Sequence, residues 1–250
     1  MVRAARSVHP TRRTRIRRPG AQESIVAPGA RVALQELRLP LDTLRWAPQW
    51  LSLLRGQAPT QRTLLLLPGF GAGPRSMALL AGYLRRIGHQ VHDWGMGTNS
   101  GDVPTLLAAL PDRLDRLLQR GGGPVDLVGW SLGGYLAREL ARDHPALVRK
   151  VVTLGSPVIG GPRFTTVAPW YRARGHDLAQ LEREVAERFT TPLRVPVTAV
   201  YSRRDGVVAW QACIDHWSPQ VRHIEVSETH LGLGFAPRVL GIVAAELDCD

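Results

Sequence analysis

Ser131 stands between two glycines, each two residues away, in Gly129-Trp130-Ser131-Leu132-Gly133. A serine hydroxyl becomes a strong nucleophile only where a base takes its proton, and that base is usually a histidine oriented by a carboxylate. The local pattern suits such a role. The apolar run at residues 125–128 reads as a buried strand and the stretch after Leu132 as a helix. The serine therefore sits at the tip of a sharp strand-to-helix turn. Such a turn strains the backbone of the serine and requires small neighbours at minus two and plus two, where strand and helix pass close together. It points Oγ outward, at a helix N-terminus whose free N–H groups can stabilise an anion.

A base and an acid are then sought further along the chain. Of the eight histidines, His9 lies in a basic leading stretch, and His89 and His92 precede the serine. His144 stands before a proline, His176 in a long irregular segment, His216 in a helix-like stretch and His223 inside a strand-like one. His230 alone follows the last predicted strand, in a loop flanked by the small residues Thr229, Gly232 and Gly234. The acid is expected after a strand and between Ser131 and His230. Asp205, in Arg204-Asp205-Gly206, meets both conditions and lies 25 residues before the histidine. Glu228 is the runner-up; Asp126, Asp215 and Glu225 fall within predicted strands or a helix. The chain order serine, acid, histidine is one of the recurring orders of a serine triad.

Acyl chemistry also needs two N–H donors aimed at the developing oxyanion. The N–H of Leu132, just after the serine, is one candidate. The turn Pro68-Gly69-Phe70-Gly71 supplies the other, with Phe70 as the donor and Gly71 as the alternate. Trp130, Phe164, Trp170 and Gly71 are candidate walls of a substrate pocket. His89-x-x-His92 has no convincing third ligand, Gly69-x-Gly71 does not extend to a dinucleotide fingerprint, and no phosphate loop is present. Neither a metal nor an organic cofactor is expected.

The elements that must hold these residues alternate between strand and helix. The run at 63–67, ended by Pro68-Gly69, suits a strand buried on both faces. An amphipathic helix with Met77, Leu80, Ala81, Leu84 and Ile87 follows, then a short strand at 89–94. A helical region at 106–118 carries Pro111 at a kink or restart. After the serine strand and its helix come strands at 151–154, 197–201 and 221–226, a helix at 210–217, and a last helix at about 237–247. This alternation predicts an α/β fold: a mostly parallel sheet with helices on both faces. In such sheets ligands bind beyond the C-terminal strand ends, where Ser131, Asp205 and His230 are all expected. Residues 156–194 break the rhythm with one helix amid Gly, Pro and aromatics, and read as a lid or cap insertion. Residues 30–56, rich in Leu and Trp but cut by Pro40 and Pro48, read as short helices packed on the domain, or more sharply as an apolar flap at an acyl-binding mouth.

Composition removes other classes. A chain of 250 residues fits a single domain at 25–250 behind a disordered basic tail at 1–24. The net charge of +11 is no nucleic-acid footprint: seven arginines and no acid lie in the first twenty residues, and without them the rest carries +4. No nucleic-acid partner is expected; peripheral membrane contact stays open. No apolar run approaches the roughly 20 residues of a membrane span, and no apolar segment follows the leading arginines as in an export signal, so a cytoplasmic location is expected. Two cysteines, Cys213 and Cys249, do not distinguish a reducing from an oxidising compartment, and the oligomeric state is not legible.

Five segments carry a resemblance: Leu67-Pro68-Gly69-Phe70-Gly71, Gly129-Trp130-Ser131-Leu132-Gly133-Gly134, Thr153-Leu154-Gly155-Ser156-Pro157, Tyr201-Ser202-Arg203-Arg204-Asp205-Gly206 and Thr229-His230-Leu231-Gly232. From about residue 30 onward the chain resembles bacterial lipase- and esterase-like serine hydrolases of the α/β-hydrolase superfamily. The resemblance implies the α/β-hydrolase fold, a Ser131–Asp205–His230 triad, an acyl-enzyme, water as second substrate, and a small-molecule or lipid-like carboxylic ester. Pro68 stands where many relatives have histidine, and so does Trp130, which alters the pocket walls. A thioesterase or acyltransferase on the same triad, or a non-catalytic binding module, are the alternatives.

Overall fold

In the computed structural model, residues 25–39, 42, 43, 46, 49, 50, 53, 60–121 and 123–249 are described. The expected basic tail at 1–24 and parts of the 30–56 stretch, including Leu41, Leu44, Leu51 and Leu54, lie outside them.

The run of leucines in β1 (Thr63–Leu67) is buried from Leu64 onward because both faces of its sheet are covered. Leu64 and Leu66 point into one layer, Leu65 and Leu67 into the other. With β2 (Gln90–Asp93), β3 (Val125–Trp130), β4 (Val148–Leu154), β5 (Val197–Ser202) and β6 (Val221–Val226) it forms a six-stranded sheet. The strand order is β2-β1-β3-β4-β5-β6 and every pairing is parallel.

Among the described residues the first helix is short, α1 (Ala30–Ala33), and runs into a 3₁₀ turn at Leu34–Arg38. On one face of the sheet, α2 (Ala78–Arg86) contributes Leu80 and Leu84. There they meet Leu64, Leu66, Val128 and Val152 of the sheet. Trp46 is buried in this layer, and Leu39, Trp50 and Leu53 pack against it, which is the packing expected of the short N-terminal helices. On the other face, α3 (Val103–Gly121) places Leu106, Leu110, Leu114 and Leu117, and α4 (Leu132–Asp143) places Leu136 and Leu140. They cover Leu65, Leu67, Leu127 and Val151. The helix expected around 106–118 thus runs unbroken through Pro111, because its leucine stripe anchors both halves.

Between β4 and β5 the chain makes a 3₁₀ turn (Gly161–Phe164) and two helices, α5 (Ala168–Ala173) and α6 (Leu178–Arg188). After β6 come α7 (His230–Phe235) and α8 (Pro237–Asp248), the latter burying Val239, Leu240, Val243 and Leu247 beside α2.

Two local expectations are corrected. The helix expected at 210–217 is only a 3₁₀ turn, Trp210–Cys213. Asp215 stops it: Oδ1 accepts from the N–H groups of Trp217 and Ser218 at 2.8 and 3.0 Å, and Oδ2 pairs with buried Arg138. An aspartate that captures the N–H groups ahead of it turns the chain rather than continuing a helix. His230, expected in a loop, is the first residue of α7, because the Thr229 hydroxyl caps the Gly232 N–H at 3.2 Å. Among the described residues no helix is long and apolar enough to cross a membrane.

Candidate active site

The strand order reverses direction between β1 and β3, and the ends of two such strands are where sheets of this kind hold ligands. Ser131 follows β3 there with φ 55° and ψ −124°, the only positive φ of a non-glycine among the described residues. The strain is held by the packing around it. A Cβ at Gly133 would sit on the carbonyl oxygen of Leu67, and one at Gly129 on the backbone of Gly133 and Gly134. The Ser131 N–H donates to the Leu154 carbonyl at 2.8 Å, which fixes the turn to the end of β4.

Asp205 lies just past β5 and is buried. Its Oδ1 accepts from the N–H groups of Val207 and Val208 at 2.9 and 2.7 Å. Its Oδ2 meets Nδ1 of buried His230 at 2.7 Å. The two span neighbouring strand ends: a Cβ on Gly155, at the end of β4, would lie 2.8 Å from Asp205 Oδ2 and 3.1 Å from His230 Nδ1. Burial alone would push the His230 pKa down. The Asp205 charge and hydrogen bond, with a smaller contribution from Glu36, outweigh it and raise the pKa above the usual 6.5. Ser131 Oγ makes no hydrogen bond to His230; such bonds commonly close only with substrate in place.

The candidate oxyanion donors lie on both sides of the serine. Leu132 opens α4, and no acceptor within the described structure takes its N–H. Gly69 packs against the serine, since a Cβ there would be 3.2 Å from Ser131 Cβ. In the same turn the Gly71 N–H is spent on the Asn99 carbonyl at 2.9 Å, whereas no acceptor is assigned to the N–H of Phe70. Of the two expected donors, the Phe70 N–H is thus the one without an acceptor among the described residues.

Trp130 is buried; its indole N–H donates to the His230 carbonyl at 3.2 Å and its rings pack on Phe235. It supports the histidine from below. Trp170 of α5 meets Phe70 edge-on with centroids 4.4 Å apart, and Arg174 lies 3.5 Å over its ring. Phe164 is elsewhere, packed with Tyr201, Val208 and Trp210. Two other histidines are engaged. His223 Nε2 accepts from the Asp215 N–H at 3.0 Å, and burial pushes its pKa down to about 4; His89 Nδ1 accepts from the Arg62 N–H at 3.3 Å.

Sequence reasoning missed Asn99 and Glu36. Asn99 is buried and clasps the turn after β1. Its Nδ2 donates to the Pro68 carbonyl at 2.9 Å, its N–H donates to Ala72 O at 2.8 Å, and its carbonyl takes the Gly71 N–H. Asn99→Ala keeps the two backbone bonds but removes the side-chain part of the clasp, leaving the buried Pro68 carbonyl and the Gly101 N–H without their partner. Outright loss of an oxyanion donor costs about 10²–10³ in kcat, so loosening its support is expected to cost about tenfold or somewhat more. Stability should fall by about 1–3 kcal/mol. Steady-state ester kinetics and urea unfolding of the variant check both figures.

A model of the alpha/beta hydrolase family matches residues 64–247. Over 108 residues the chain is 35% identical to a pimeloyl-[acyl-carrier protein] methyl ester esterase of Aromatoleum aromaticum, covering 43% of this chain and 42% of that protein. Over 132 residues it is 30% identical to the enzyme of the same name from Edwardsiella ictaluri, covering 52% and 48%. The chain thus matches somewhat under half the length of these curated relatives. Among solved structures it superposes on a metagenome-derived lipolytic enzyme with a TM-score of 0.60 at 16% identity, over 77% of this chain and 95% of that one. The thioesterase domain from the curacin biosynthetic pathway gives 0.53 at 16% identity, over 77% and 92%. At such identities these structures bear on the fold alone.

Proposed function

The chain belongs to the alpha/beta hydrolase family, and on that ground we propose that it cleaves carboxylic esters through an acyl-enzyme on Ser131. The observation that carries the proposal is the buried Asp205–His230 pair, 2.7 Å apart, at the same sheet edge as a serine on a strained turn. His230 Nε2 takes the Ser131 proton as Oγ attacks the ester carbonyl. The N–H groups of Leu132 and Phe70 receive the oxyanion. His230 returns the proton to the leaving alcohol, and the acyl group stays on Ser131. Water, deprotonated by His230, then attacks the acyl-enzyme and releases the acid. Asp205 holds Nδ1–H, so that Nε2 is free to act as the base, and balances the imidazolium charge.

Residues 156–194 act in this reading as a cap. Trp170 on Phe70 gives the mouth an aromatic wall suited to an apolar acyl chain. The curated relatives are named for a methyl ester on a carrier-bound acyl group, so methyl esters of short diacids belong in the substrate panel. A thioester substrate, or transfer to an alcohol, would run on the same residues.

The test is hydrolysis of p-nitrophenyl esters of graded acyl length, methyl esters and a matching acyl thioester, with mass-spectrometric mapping of a fluorophosphonate probe. Label on Ser131 together with ester turnover is expected. Because the His230 pKa is raised, and only neutral imidazole can take the proton, kcat/KM should climb with pH through a limb above about 6.5. A chain that neither turns over esters nor takes the label would be a binding module with this fold.

A further inference from the structure

Glu36 lies in the 3₁₀ turn Leu34–Arg38, ahead of the sheet and outside the stretch that matches the family. Its Oε1 accepts from the Gly206 N–H at 2.9 Å and from the His230 N–H at 2.7 Å. Its Oε2 accepts from the Leu231 N–H at 2.9 Å. One carboxylate therefore holds the residue after Asp205, the histidine itself and the residue after it. The neighbouring Gln35 Oε1 accepts from Arg204 Nε at 3.2 Å, a second tie to the same loop. Gly206 leaves room for this strap: a Cβ there would lie 2.8 Å from the Val32 carbonyl and 2.9 Å from Glu36 Oε1.

From this geometry we infer that Glu36 is a positioning residue of the Ser131–Asp205–His230 site, a carboxylate that ties the acid loop to the base. The inference rests on the triad reading above. The Asp205–His230 hydrogen bond aligns two side chains, but their backbones belong to the loop after β5 and to the first turn of α7, separated by β6. Something must fix the loop against the helix start. Hydrogen bonds to an ionised carboxylate are roughly twice as strong as neutral ones, and two of these three occupy N–H groups that the start of α7 leaves without helical acceptors. The direction in which the His230 side chain leaves the backbone is thereby set from Glu36 on one side and from the Trp130 indole on the other.

Glu36 also places negative charge by the imidazole. The charged groups that act on His230 are Asp205, from the loop after β5, and Glu36. Cys213, next to Asp205, is kept a neutral thiol by burial, and Trp130 carries no charge. Removing the Glu36 charge lowers the His230 pKa and moves the acid limb of kcat/KM to lower pH.

Glu36→Ala, Glu36→Gln and Ser131→Ala are compared in the full-length chain with Leu37→Ala, whose exposed side chain makes it a control for the segment. A misplacement of about 1 Å can cost on the order of a hundredfold, so Glu36→Ala should lose roughly tenfold to a hundredfold in kcat with KM little changed. Glu36→Gln keeps one oxygen for the Gly206 and His230 N–H groups but turns an amide toward that of Leu231. It should recover part of kcat while keeping the lowered acid limb. Leu37→Ala should match the parent in both. The rate of fluorophosphonate labelling should follow kcat through the series.

A folded Glu36→Ala with parental kcat and an unmoved limb overturns the inference. Should that variant fail to fold, Glu36→Gln decides, and parental kcat and limb there overturn it equally. The two readings separate cleanly. If Ser131→Ala keeps its activity, the triad reading falls; if it is inactive and the Glu36 variants behave as the parent, only the role of Glu36 falls.

Discussion

Ser131→Ala is expected to lower kcat for ester hydrolysis by about 10⁶, with KM changed by no more than a few-fold; losses of that order follow removal of a triad serine in other hydrolases. The proposed oxyanion donors at Leu132 and Phe70 remain, so a residual rate above uncatalysed hydrolysis should persist, since that part of such a site works without the nucleophile. The fold should not notice the change. Alanine keeps the Cβ, and with it the strain of a residue at φ 55°. Ser131→Gly separates strain from chemistry. It is equally inactive, but it relieves a backbone cost of about 1–3 kcal/mol, offset in part by roughly 0.4–1 kcal/mol of added freedom in the unfolded chain. Its melting temperature should exceed that of Ser131→Ala by a few degrees. Single-turnover kinetics on a p-nitrophenyl ester and thermal unfolding of the two variants make the comparison. An alanine variant that keeps more than about a hundredth of the parental rate would mean that another group is the nucleophile.

The sheet was legible because burial on both faces leaves a mark in the residues themselves. Four successive leucines ended by Pro68-Gly69 suit a strand with a layer on each side, and Leu64 and Leu65 do face opposite layers. The candidate triad was readable as an order of residue types, each after a strand. Its supports were not. Glu36 meets His230 across 194 positions, through backbone N–H groups that every residue but proline carries. Such a contact imposes no pattern on the sequence around the acid, and a glutamate in a leucine-rich helix reads as a solvated face. Asn99 holds the turn after β1 by a side-chain bond to a distant backbone carbonyl, 31 positions away at Pro68. The failed helix at 210–217 has a related cause: Asp215 divides its oxygens between local N–H groups and Arg138, a partner 77 residues away that no local rule contains. Trp130, read as a pocket wall, donates its indole N–H to the His230 carbonyl 100 positions away and lies beside that residue's ring, a partner that no local pattern announces.

Asp205→Asn is expected to lower kcat by about 10⁴ while leaving the melting temperature nearly unchanged, because the surroundings dictate how the new amide must lie. Oδ1 of Asp205 accepts from the N–H groups of Val207 and Val208. An asparagine keeps those bonds only with its carbonyl oxygen on that side, which turns its NH₂ toward His230 Nδ1. The amide then donates to Nδ1, so the ring proton moves to Nε2, the nitrogen proposed to act on Ser131. A protonated Nε2 cannot act as the base; the wrong tautomer in a serine protease carries a loss of the same order. The charge disappears as well, so burial dominates and the His230 pKa falls, moving the acid limb of the residual activity to lower pH. Asp205→Ala is the contrast. It leaves both valine N–H groups without their acceptor, at about 1–3 kcal/mol for the buried Val208 N–H and less for the half-buried Val207 N–H, and should lose stability along with rate. Kinetics and thermal unfolding on the pair therefore separate the two oxygens of one carboxylate: Oδ1 holds the loop, and Oδ2 selects the tautomer. An asparagine variant within tenfold of the parent in kcat would show that another acid orients His230, with Glu228 the first to be tested in its place.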